Sequence, residues 1–364
     1  MAVVDDDGEQ TQRVRFCTAR DGVHIAYAVH GSGPPLVVAA CWLSHLQYDW
    51  QSPVWRHFLE DLGKVATIIR YDERGFGLSD RDVREHSLEA RISDLEAVVD
   101  HAGIERFALM GMSQGGPVTI SYAHRHPERV TRLVFYGSYA AALQDPTPEQ
   151  LEMQAAFEQL IKVGWARPDS EFRRVFTSMM IPEATAEQMS WLDELQRVST
   201  STEIAVLSRR QRMEASAVDL LPDLQAPTLV LHGRGDRMVE FADGRLLASG
   251  IEGARFVPLE TSNHIVLGDE PAWRVFVDEV TTFLEPDRHQ AGAPVVDVAS
   301  LLSSRELDVL KLAARGHSND EIAAELFLSA RTVERHLQNA YAKLGVSGKA
   351  ARTAAVAMLL GSQG

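Results

Sequence analysis

Only two cysteines, Cys17 and Cys41, occur in 364 residues. So few thiols exclude a disulfide framework and point to free thiols in a reducing compartment, so a cytoplasmic location is expected. No apolar run approaches the ~20 residues of a membrane helix; one of the longest is 36–43. The first residues include Asp5, Asp6, Asp7 and Glu9 with no apolar stretch behind them, unlike a secretory signal. His, Cys and Asp nowhere gather at metal-ligand spacing, so neither a metal nor a cofactor is expected. Internal repeats and low-complexity tracts are lacking as well, which excludes solenoids and long polar tails. What is there is ordinary globular composition, 45% hydrophobic and 24% charged, in a length that suits one large and one small domain.

Charge divides the chain. The net charge is −15. Residues 297–364 hold 8 Lys/Arg against 7 Asp/Glu, a net of +1, and the rest holds 28 against 44, a net of −16. An acidic body repels phosphate backbones, so any nucleic-acid contact belongs to the tail.

From residue 13 to about 285, short apolar runs (36–40, 65–71, 107–110, 133–136, 228–231, 255–259) alternate with helical patterns (88–101, 115–126, 242–249, 272–284). Apolar runs without alternation are parallel strands covered on both faces. The pattern predicts a doubly wound, mostly parallel α/β domain over 1–285. Residues 140–219 break the rhythm. They carry no strand pattern but many helix formers, with Phe157, Trp165, Phe172, Phe176, Met179 and Trp191, and read as an inserted helical cap. Residues 286–298, with two prolines and a glycine, read as a linker. Residues 299–364 are predicted to form a small all-α domain of four helices (304–315, 319–326, 330–344, 349–360).

The chemistry of the large domain centres on Gly111-Met112-Ser113-Gln114-Gly115, between a strand and a helix. A G-x-S-x-G turn in that setting projects the serine hydroxyl above the sheet, and glycines flank it because side chains there would clash. A serine nucleophile needs a base, and the base an orienting acid. Asp236 and His264 each follow a predicted strand, in the order this fold requires, and are the expected acid and base. The backbone N–H of Gln114 is one expected oxyanion donor, and the loop Cys41-Trp42-Leu43 supplies the other, with Trp42 favoured. Cys41, His45, Phe157, Trp165, Met179 and Trp191 are the expected lining of a pocket for a small apolar ligand.

Residues 13–285 resemble the α/β-hydrolase superfamily. Asp72-Glu73-Arg74-Gly75-Phe76-Gly77-Leu78-Ser79 is similar to that family's D-x-R-G-x-G-x-S segment, whereas Ala40-Cys41 stands where many members carry His-Gly. Relatives that attack with aspartate at the elbow break carbon–halogen bonds or epoxides. By that resemblance Ser113 implies hydrolysis of an ester, lactone, thioester or carbon–carbon bond, or a sensor that has kept the triad.

The tail carries its own signature. Ser303 with Glu306 and Ser318 with Glu321 are capping boxes, and Ser329 is a cap for a helix with Val333, Leu337, Ala340 and Tyr341 on one face. Gly316 closes the first helix. Two short helices joined at Phe327-Leu328-Ser329 predict a helix-turn-helix. The stretch resembles the LuxR-type (GerE/NarL-type) domain through Ser304-Arg305-Glu306, 318–323, Thr332-Val333, His336 and 343–346. That resemblance implies double-stranded DNA as partner, read as a homodimer on a pseudo-palindromic operator. Glu334, Arg335 and Gln338 are the expected base readers, and Ser318, Asn319, Arg331, Thr332, His336 and Lys343 the expected phosphate contacts. Lys349 or Arg352 is a further phosphate candidate. Three readings stay open: a ligand sensor that controls DNA binding, a sensor that also hydrolyses its ligand, and a metabolic hydrolase with a vestigial tail.

Overall fold

The computed structural model describes residues 11–143, 146–168, 171–285, 302–314, 317–343, 352, 355 and 356. The chain falls into two compact units, residues 1–284 and 285–364. The predicted linker, Gly316 and all of the predicted fourth helix except Arg352, Ala355 and Val356 lie outside the described residues.

The first unit is built on an eight-stranded sheet: β1 (Arg13–Thr18), β2 (His24–Gly31), β3 (Pro35–Ala39), β4 (Thr67–Tyr71), β5 (Phe107–Met112), β6 (Val130–Tyr136), β7 (Thr228–Gly233) and β8 (Arg255–Leu259). Their order across the sheet is β1-β2-β4-β3-β5-β6-β7-β8. The pairs from β4 to β8 are parallel, while β2 lies antiparallel to both β1 and β4. Every residue of β5 and β7 is buried, which explains their unbroken apolar runs. The apolar-run pattern did not predict β1 and β2. In β2, Ala26 and Ala28 are fully buried; alanine is a poor strand former alone, and here pairing on both edges decides.

The sheet is flanked by helices α1 (Leu46–Trp50), α2 (Arg56–Gly63), α3 (Leu88–His101) and α4 (Gly116–Arg125). The cap follows as α5 (Pro148–Gly164), α6 (Glu171–Met180), α7 (Ala186–Ser199) and α8 (Thr202–Met213), and α9 (Phe241–Gly250) and α10 (Pro271–Leu284) complete the unit. The expected cap at 140–219 is thus four helices, closed at its root by a bridge between Ala141 and Ser216. Thr147 and Thr185 open α5 and α7 with full capping boxes, satisfying N–H groups that the helix cannot. No helix among the described residues is long and apolar enough to cross a membrane.

The second unit has α11 (Ser304–Ala314), α12 (Asn319–Leu326) and α13 (Ala330–Lys343) around a core of Val309, Leu310, Ile322, Val333, Leu337 and Ala340. Phe327 ends α12 in the left-handed conformation, φ 56°. The chain then turns into α13, where the Ser329 hydroxyl accepts from the Thr332 N–H at 3.1 Å.

Candidate active site and DNA-facing helix

Ser113 sits where β5 passes into α4, in the left-handed region at φ 49°. A side chain there is strained, and the surrounding glycines show why the turn persists. A Cβ on Gly111 would meet the Thr119 hydroxyl at 2.6 Å, and one on Gly115 the Ala39 carbonyl oxygen at 3.2 Å. Gly116 is tighter still, at 2.1 Å from the Tyr139 carbonyl oxygen. Ser138, just past the end of β6, donates its hydroxyl to the Ser113 carbonyl at 2.5 Å and braces the turn.

Asp236 and His264 meet across the loops after β7 and β8, with Oδ2 2.7 Å from Nδ1. The other carboxylate oxygen of Asp236 accepts from the N–H groups of Met238 at 2.8 Å and Val239 at 3.1 Å. Burial pushes this carboxyl's pKa up, but the charge of His264 and these hydrogen bonds outweigh burial and hold it below its ordinary value. An ionised aspartate bound to Nδ1 fixes the tautomer that leaves Nε2 free to accept a proton.

Ser113, Gln114, Trp42 and His264 line one cavity of about 170 Å³. Cys41, Phe157 and Met179 line it too, as do Phe176 of the cap and Trp55, Met238 and others that the sequence did not single out. Burial pushes the Cys41 thiol up to about 12, so it is a neutral wall group. His45, Trp165 and Trp191 do not line it, a correction to the expected pocket. The His45 imidazole caps α1 by accepting from the Tyr48 N–H at 3.4 Å. Trp165 is 1% exposed, donates its indole N–H to the Thr200 carbonyl and packs behind Trp42. Trp191 stacks on Tyr48 at 4.5 Å. These side chains carry the cap's own packing.

Positioning groups from distant parts of the chain complete the site. The Tyr136 hydroxyl donates to the His264 carbonyl at 2.6 Å and accepts from the Val266 N–H at 2.9 Å. Gly137, at φ 51°, lets the imidazole approach: a Cβ there would lie 3.1 Å from His264 Cε1. The Gln114 amide donates to Glu73 at 3.2 Å, and the same Glu73 oxygen accepts from Arg212 of α8 at 2.6 Å. Burial pushes the Glu73 carboxyl up, but Arg212 and the Arg91 charge outweigh it and hold the group below its ordinary range.

The model of the α/β hydrolase fold family matches residues 34–271. The chain belongs to the α/β-hydrolase family. Within the α/β hydrolases it is 29% identical over 236 residues to the 2-hydroxymuconate semialdehyde hydrolase of Pseudomonas sp. (strain CF600), covering 62% of this chain and 75% of that one. It is 26% identical over 243 residues to the AB hydrolase superfamily protein YisY of Bacillus subtilis (strain 168), covering 64% and 86%. Among solved structures, the esterase EaEST of Exiguobacterium antarcticum shares the fold with a TM-score of 0.63 at 22% identity, over 75% of this chain and all of the esterase. A second family model, that of bacterial regulatory proteins of the luxR family, matches residues 300–358. This α/β hydrolase therefore carries a luxR-type helix-turn-helix domain at its C-terminal end.

In that domain Arg331, Glu334, Arg335 and Gln338 stand exposed along α13, on the side away from the buried Val333, Leu337 and Ala340. Thr332 and His336 are half-buried. Four of the expected phosphate contacts already have partners. Ser318 caps α12 by accepting from the Glu321 N–H, and Asn319 accepts from Arg352 at 2.7 Å. The Thr332 hydroxyl pairs with that of Ser329. Lys343 donates to Glu306 at 2.7 Å, because Glu306, 4% exposed, needs a counter-charge. Lys343 is thus first an internal brace of the domain.

Proposed function

We propose that this α/β hydrolase is a ligand-responsive transcription regulator that binds DNA through α12 and α13 and a small molecule in the cavity beside Ser113, which it also hydrolyses. The observation that carries the reading is the 2.7 Å contact of Asp236 with His264, on the wall of a cavity shared with a strained Ser113. That arrangement supports nucleophilic catalysis. His264 Nε2 takes the Ser113 proton as the oxygen attacks the ligand's carbonyl carbon. The Gln114 and Trp42 backbone N–H groups receive the developing oxyanion. His264 returns the proton to the leaving group, and water, deprotonated by His264, releases the acyl group from Ser113. The hydrolase names of the relatives support the chemistry, and the carbon-rich cavity walls support a ligand with an apolar body.

The exposed Glu334, Arg335 and Gln338 supply a base-reading surface with Arg331 beside them for phosphate, and paired half-sites on an operator call for a homodimer. Two measurements test the reading on the full-length protein. A serine-directed fluorophosphonate labels the wild type and not Ser113→Ala. Selection from a random duplex pool, at low salt, enriches a pseudo-palindrome whose retention changes with a short-chain ester. A protein that labels but retains no duplex is a metabolic hydrolase with an accessory tail; one that retains duplex but neither labels nor hydrolyses is a sensor alone.

A further inference from the structure

Helix α8 carries three arginines within four residues, and they are not equivalent. Arg210 is exposed and pairs with Glu158 at 2.5 Å. Arg212 is buried and pairs with Glu73 at 2.6 Å. Arg209 lines the cavity that holds Ser113, and among the described residues it has no carboxylate partner within 4.0 Å. Its hydrogen bond goes to the neutral amide oxygen of Gln154, which lines the same cavity. Its guanidinium carbon lies 5.5 Å from the centre of the Phe157 ring. Glu158, the acid whose charge reaches Arg209, is already held by Arg210 and by Lys162 at 2.5 Å. Burial holds the Arg209 guanidinium below its ordinary pKa.

An unpaired, partly desolvated cation facing a cavity is costly unless the occupant supplies the counter-charge. The cavity's remaining walls are mostly aromatic rings and methionines, with no carboxylate among them. Tyr139 adds a phenol to the lining, and its hydroxyl makes no hydrogen bond among the described residues. A guanidinium offers two parallel N–H donors, the fork that a carboxylate accepts.

From this juxtaposition we propose that Arg209, with Gln154 and Tyr139 beside it, is the binding site for a carboxylate of the ligand, so that the ligand is a small acid whose reactive carbonyl lies at Ser113 and whose anionic end lies at the cap. The inference rests on the reading of this cavity as a ligand site and adds the ligand's charge. One cation fits a monoanionic carboxylate better than a phosphate dianion, since the next guanidinium, Arg212, is already neutralised by Glu73.

The test is a binding measurement, so it does not depend on turnover. Full-length Ser113→Ala is titrated in a calorimeter with monophenyl succinate and with its neutral amide counterpart, phenyl succinamate. The acid is expected to bind at least tenfold more tightly. Adding Arg209→Gln is expected to abolish the preference. Arg209→Lys is expected to keep part of it, and serves if the glutamine variant fails to fold. Arg210→Gln, the exposed neighbour, is expected to leave it unchanged. Equal affinity for the two probes, no binding of the acid, or a preference that survives Arg209→Gln overturns the proposal. Arg209-dependent binding of the acid by a wild-type protein that never hydrolyses it would refute the hydrolytic step and leave this assignment standing.

Discussion

The backbone N–H of His264 donates to the carbonyl oxygen of Met180 at 2.7 Å, so the proposed base hangs from the last residue of a cap helix. Beside it the Asn263 side chain accepts from the Glu183 N–H at 3.0 Å and donates to Glu270 at 2.7 Å. These bonds tie the cap to the loop that carries His264. Asn263→Ala removes both side-chain bonds and leaves the half-buried Glu270 carboxylate short of one donor. It is expected to cost about 1–3 kcal/mol of stability and to slow phosphonate labelling of Ser113. Thermal unfolding and labelling rates check this; an unchanged labelling rate would show that the cap does not hold the loop.

Gly137→Ala tests the opening made for the imidazole. The position needs φ 51°, and a methyl group there comes within 3.1 Å of His264 Cε1. The expected cost is about 1–2 kcal/mol from the backbone alone, with kcat falling more than about tenfold as the ring is displaced. Ester hydrolysis and circular dichroism on the same sample separate the two effects.

In the tail, the Lys343 hydrogen bond, the largest effect, and the Ser303 cap outweigh burial and bring the Glu306 carboxyl to about 2, below the ordinary 4.5. A carboxyl held low stabilises the fold above its ordinary value and loses that contribution as pH falls towards the folded value. The tail's stability is therefore expected to decline between pH 4.5 and 2. Lys343→Met is expected to lower stability at neutral pH by about 1 kcal/mol, a small figure because the ammonium is half in solvent, and to make the acid decline shallower. Far-ultraviolet unfolding curves at several pH values read both.

Arg335 and Arg331 should separate base reading from phosphate contact. Arg335→Ala is expected to relax discrimination at one base position by about 1–3 kcal/mol. Arg331→Ala is expected to weaken all sequences alike and reduce the salt slope by about 1. Identical behaviour across a series of mismatched operators would refute the assignment.

The elbow was legible in the sequence because its constraint is local: glycines at 111 and 115 answer to atoms of adjacent strands and of α4. Asp236 and His264 were legible because the strand order fixes which loops converge. Tyr136 and Gly137 were not, since the Tyr136 bond to His264 joins residues 128 apart in sequence. His45, Trp165 and Trp191 were misplaced because an aromatic residue in a cap shows its bulk but not the side it faces. Arg209 carries the same lesson with the opposite sign: a charged side chain on an amphipathic helix reads as solvent-facing until the cavity is seen. The ion pair of Lys343 was not legible, because its partner Glu306 lies 37 residues earlier, on another helix.

The chain Arg212–Glu73–Gln114 has an evolutionary consequence. Caps of this fold look interchangeable, as inserts joined to the sheet domain at a narrow root. Here a transplanted cap without arginine at the place of Arg212 would strand the Glu73 carboxylate, 2% exposed, beneath it. Glu73 also holds the side chain next to Ser113. A new ligand specificity would therefore be reached by substitution within this cap around Arg212, or by an exchange that brings its own cation.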